Sequence, residues 1–142
     1  MRTLEEAVRD YYTERSYNCS EAILHAANEC YGLNIREEDM KMMGGFGGGM
    51  HAGLVCGALV AAVAALSKMI VVHKAREEGD TVRPAVSRLV RTFNEHLGGL
   101  SCRELRPKYY TKEDSCLQTV LLAAQALQMA VDKIRLPENE RA

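Results

Sequence analysis

The chain has no tryptophan, two phenylalanines and no Cys-x-x-Cys pair anywhere in its 142 residues. Without cysteines paired at short range, local spacing gives no zinc ribbon, thioredoxin site or ferredoxin loop. No phosphate-binding lysine follows the glycine-rich stretch Gly44 to Gly49, which runs instead into Met50 and His51, so nucleotide binding is disfavoured. Basic and acidic residues nearly cancel, 18 against 19. No basic stripe carries interleaved aromatics, so nucleic acid is not an expected partner. The segment Met1-Arg2-Thr3-Leu4-Glu5-Glu6 is acidic and lacks the apolar stretch of a secretion signal, which makes the cytoplasm the expected compartment. Strand-like alternation is missing throughout.

What remains is helical periodicity. The length suits one domain with a real core, and 47% apolar with 26% charged residues is ordinary for a folded globular chain. The reading is an all-α, single-domain bundle over residues 1–136, with a flexible tail at 137–142. Thr3 with Glu6 forms a capping box, and Leu4, Ala7, Val8, Tyr11 and Tyr12 follow at helical spacing, predicting a first helix to about Arg15. A second helix opens at Asn18 or Ser20, carries Cys19 and Cys30, and stops at Gly32. A short third spans Arg36 to Met43. Pro84 suits the first turn of a helix that Gly98-Gly99 end. Ser101 with Glu104 caps a short helix limited by Pro107, and Thr111 and Asp114 open a long one from about Lys112 to Ile134, with Cys116 in its first turn.

Between these lies the run Ala52 to Val72, long enough to raise the question of a membrane span. Alanine and glycine dominate it and no aromatic belts flank it, so it reads as the central Ala/Gly-rich helix of the bundle, with no membrane insertion. Gly49, Gly53, Gly57, Ala61 and Ala65 recur every four residues, a small-residue ridge that lets a neighbouring helix approach closely.

Five cysteines in a cytoplasmic chain point to metal or redox chemistry rather than a disulfide scaffold. Cys19, Cys56, Cys102 and Cys116 fall on different elements, at intervals of 37, 46 and 14 residues. Cys56 follows the glycine loop, Cys102 a glycine pair and cap, and Cys116 opens a helix, all positions where amides and the helix dipole favour thiolate. Gly45, Gly47, Gly48 and Gly49 supply backbone that a cofactor can approach closely. Buried cysteines are also often simple packing. Cys30, about 16 Å from Cys19 by helix rise, is read that way. His51 lies five residues before Cys56, a poor helical pairing, so it is read as satisfying the loop. Met40, Met42 and Met43 are assigned to the core or an interface.

The order Cys19, Gly44-Gly45-Phe46-Gly47-Gly48-Gly49-Met50, Cys56-Gly57-Ala58, Cys102, Cys116 resembles the C_GCAxxG_C_C family of redox-active proteins. The resemblance spans roughly Ala7 to Met129. It implies a prokaryotic protein whose functional cysteines are Cys19, Cys56, Cys102 and Cys116, with Cys30 outside the set. Where the family's signature has a glycine three residues after the Cys-Gly-Ala step, this chain has Ala61.

The first functional reading is electron transfer through an iron-sulfur cluster on those four cysteines, serving a redox partner protein. A second is a dithiol/disulfide oxidoreductase, with Cys102 and Cys116 as one couple and Cys56 as attacking or resolving thiol. A third is a structural zinc protein or helical interaction module. The small-residue helix and the methionines suggest a homodimer.

Overall fold

The computed structural model describes residues 1–141 of an all-α chain. Helix α1 (Leu4–Arg9) starts at the Thr3 capping box and runs on into a wider π-type turn over Asp10–Glu14. Helix α2 (Cys19–Tyr31) begins at a second capping box, Asn18 with Glu21, and ends where Gly32 takes a left-handed conformation. Helix α3 (Glu37–Met40) tightens into a 3-10 stretch, Lys41–Phe46. Helices α4 (Gly57–Ile70) and α5 (Gly79–Leu97) form the next pair, and Gly98 closes α5 with φ 81°. Helix α6 (Cys102–Tyr109) carries the Ser101–Glu104 capping box, and α7 (Leu117–Ile134) completes the bundle.

Helix α4 is the hub, packing against α2, α5 and α7. Its contact with α2 is the most extensive in the molecule, because both helices bury alanines: Ala22, Ala26 and Ala27 on one, Ala58, Ala61, Ala62 and Ala65 on the other. Small side chains let two axes come close. Larger residues fill the other side of α4, where Leu66, Leu89, Phe93 and Leu127 are fully buried. No helix among the described residues is long and apolar enough to cross a membrane.

Several boundaries differ from the sequence expectation. The central helix starts at Gly57 rather than Ala52, because Gly49–Gly53 form a separate turn and Val55 pairs with Ser101. Gly49 and Gly53 therefore lie outside the small-residue ridge, which begins at Gly57. Helix α5 starts at Gly79, leaving Pro84 inside it rather than in its first turn. The long last helix begins at Leu117, not Lys112. Residues Thr111 and Ser115 close a tight turn through reciprocal backbone hydrogen bonds of 3.1 and 2.8 Å, and this holds Cys116 just ahead of the helix. In the expected tail, Glu138–Glu140 form a 3-10 turn and the Arg141 side chain donates to the Leu136 carbonyl at 2.8 Å; Ala142 lies outside the described residues. Met40 and Met43 join the core, whereas Met42 faces solvent.

Candidate functional site

Four helices begin around one place. Cys19 is the first residue of α2 and Cys102 the first of α6, while Cys56 and Cys116 immediately precede α4 and α7. Three local devices gather them. The Cys56 amide donates to the Leu100 carbonyl at 2.8 Å and the Cys102 amide to the Leu54 carbonyl at 2.7 Å, so α4 and α6 start side by side. The Tyr12 hydroxyl accepts the Cys116 amide at 3.0 Å, pinning the start of α7 to the turn after α1. Ser20 donates to the Met43 carbonyl at 2.6 Å, and Asn18 Nδ2 to the Gly44 carbonyl at 3.1 Å, so α2 holds the glycine segment in place.

That segment then turns left-handed. Gly48, Gly49, Met50 and His51 have φ of 61°, 63°, 60° and 54°, and for Met50 and His51 this costs about 1–2 kcal/mol each. Two glycines are needed for close approach as well. A Cβ on Gly49 would collide with the backbone of Leu54, and one on Gly57 with the Phe46 carbonyl.

Cys19, Cys56, Cys102 and Cys116 together wall a cavity of about 150 Å³, with Gly48, Gly49 and Gly57 supplying backbone and Tyr12, Leu105 and Arg106 the remaining sides. All of the cysteines are free thiols, and Cys56 is the most deeply buried. Cys30 does not reach the cavity; its sulfur lies 3.8 Å from the Arg2 carbonyl. Of the four glycines expected to approach a cofactor, Gly48 and Gly49 line the cavity. Gly47 instead packs against Asn18, and a Cβ on Gly45 would meet open space. His51 lies outside the cavity, with Nε2 3.4 Å from the Gly44 carbonyl oxygen.

The electrostatics reverse one expectation. Backbone amides do favour thiolate here: those of Gly48 and Ser20 act on Cys19, and those of Ala58 and Leu59 on Cys56. Burial outweighs them. Removal from water raises Cys19 and Cys116, and pushes the Cys56 thiol up to about 12, with the neighbouring Cys19 adding to the rise. On Cys116, Arg106 and the Tyr12 hydroxyl pull the other way without prevailing. These three thiols hold their protons at neutral pH.

Among the described residues, no three His, Cys, Asp or Glu side chains are gathered tightly enough to hold one metal ion. The four cysteines instead line a cavity. The sequence reading missed Tyr12, Gly57 and Arg106 as site residues. Gly57 carried a signal, since it directly follows Cys56; Tyr12 and Arg106 are brought in only by tertiary packing.

Fold and site together define a small all-α protein built around a cysteine-walled cavity. Residues 17–130 match the model of the C_GCAxxG_C_C family, described as "Putative redox-active protein", and the chain belongs to that family. No curated protein and no solved structure matches it significantly.

Proposed function

We propose that the protein transfers electrons through an iron-sulfur cluster held by Cys19, Cys56, Cys102 and Cys116. The observation that carries this reading is that all four cysteines line one cavity of about 150 Å³. A single zinc draws thiolates to about 2.3 Å from one centre, and among the described residues no three candidate ligands are gathered that tightly. A cluster is a larger body than one ion and would suit four cysteines set around a cavity. When bound, it would supply one-electron chemistry at a potential tuned by its surroundings.

The chain's own residues would do the rest. The amides acting on Cys19 and Cys56 stabilise sulfur-borne charge, and the Arg106 guanidinium adds a positive charge near Cys116. Leu105 and the buried start of α4 limit water. Because burial holds the protons of Cys19, Cys56 and Cys116, binding a cluster through them would release protons to solvent.

The dithiol alternative asks Cys56 to attack or resolve a disulfide. A buried thiol with its proton held up to about pH 12 is a poor nucleophile at neutral pH. Protein purified without oxygen should show broad visible charge-transfer absorption, with iron and acid-labile sulfide in comparable amounts. Colourless protein with titratable thiols and no metal would move the assignment to disulfide exchange. Stoichiometric zinc without iron would move it to a structural role.

A further inference from the structure

A second cavity opens beside the first. It is a cleft of about 760 Å³ walled by His51, Gly53, Arg103, Pro107 and Tyr110, and it shares Gly48, Cys102 and Arg106 with the cysteine cavity. Cys102 is thus the one cysteine that borders both spaces. Among the described residues no carboxylate lines the cleft, although acidic residues slightly outnumber basic ones in the whole chain.

Its two arginines have guanidinium donors to spare. Arg103 and Arg106 sit three residues apart on α6, so they share a face. Arg103 Nη2 donates to the Ala52 carbonyl at 3.3 Å, which leaves most of its five N–H donors unused. The Arg106 guanidinium lies over the Tyr110 ring, 4.4 Å from its centroid, a cation–π contact that leaves its N–H donors free for a ligand. Among the described residues, neither is within ion-pair distance of a carboxylate. The nearby Glu104 is spoken for by its own cap, accepting from the Ser101 hydroxyl at 2.9 Å and the Ser101 amide at 3.2 Å. Two guanidinium forks facing one concavity are suited to a planar or tetrahedral oxyanion. The volume falls within the roughly 300–1,000 Å³ range of small-molecule sites.

We propose that this cleft binds a small molecule bearing a carboxylate or phosphate, held by Arg103 and Arg106 next to Cys102. That its occupant is the compound served by the redox centre rests on the cluster reading above. The anion site itself rests on the cleft alone.

Calorimetric titration of the full chain with succinate and, separately, inorganic pyrophosphate tests the proposal. At low salt, one of the two should bind to saturation at a single site, and which one binds more tightly assigns the carboxylate or phosphate class. Arg103→Gln and Arg106→Gln should each weaken it at least tenfold, whereas Arg91→Gln, on the exposed side of α5, should leave it unchanged. Binding of neither anion, equal binding in the two cleft variants, or equal weakening by Arg91→Gln would overturn it. The heat signal does not depend on bound iron. Saturable anion binding by a protein lacking iron and sulfide would therefore sink the cluster reading alone, and a cluster protein that ignores both anions would sink this one alone.

Discussion

Gly57 lies against Cys19: a Cβ built on Gly57 would come 3.0 Å from the Cys19 sulfur and would collide with the Phe46 carbonyl. The bare Cα is what lets α4, the 3-10 stretch and the start of α2 meet at the cavity wall. Gly57→Ala should therefore destabilise by about 1–3 kcal/mol, as overpacking does, and lower the iron content of purified protein. Thermal melting and metal analysis check both. Ala61→Gly, which restores the glycine of the family signature, should instead cost about 1 kcal/mol through helix propensity and leave iron content unchanged.

Ser20 is fully buried and its hydroxyl donates to the Met43 carbonyl at 2.6 Å. Ser20→Ala leaves that carbonyl without its partner, at a cost of about 1–3 kcal/mol. Because this bond holds the glycine segment to α2, amide exchange over 44–51 should accelerate. Unchanged exchange there would show that the segment is held by other contacts.

The metal-free, reduced protein should lose stability in alkali. Its folded state holds the Cys56 proton up to about pH 12, against 9.0 for an ordinary thiol, and Cys19 and Cys116 shift the same way. The unfolded chain therefore releases these protons first. Stability is full below about pH 9 and falls as pH rises toward 12. Melting curves from neutral to alkaline pH should show this fall, and Cys56→Ser should make it shallower. A melting temperature that climbs through the same range would contradict the burial argument.

Glu78 organises the connection between α4 and α5. Its carboxylate accepts the amides of Val72, His73 and Lys74 at 2.8, 2.7 and 2.7 Å, and these bonds, Val72 foremost, hold its pKa below the usual glutamate range. The stabilisation is present above the ordinary glutamate pKa and is lost as pH falls through the lowered one. Glu78→Ala should speed tryptic cleavage after Lys74 and Arg76 at neutral pH, with little change elsewhere in the chain.

The fold was legible where signals are local. Helix α2 is bounded by Asn18 and Gly32, and the Thr3 and Ser101 capping boxes form as their spacing requires. The start of α4 was misread because Ala52 to Cys56 is apolar enough to continue a helix. What stops it is a tertiary pairing of Val55 with Ser101, 46 residues away, which periodicity does not register. The four cysteines were legible through the family pattern, but their meeting was not, since it depends on how four helix starts pack. The direction of the thiol shifts was missed for a related reason. Sequence position shows that a cysteine opens a helix, but not that the same position is withdrawn from water.

The central claim is that Cys19, Cys56, Cys102 and Cys116 form one centre and Cys30 stands apart. Each cysteine should be changed to serine in turn, and iron, acid-labile sulfide and visible absorption measured per chain after purification without oxygen. The account predicts that the four cavity variants lose all three signals, or most of them, while Cys30→Ser keeps them. Full retention by any cavity variant, or a loss in Cys30→Ser as large as in the others, would contradict it.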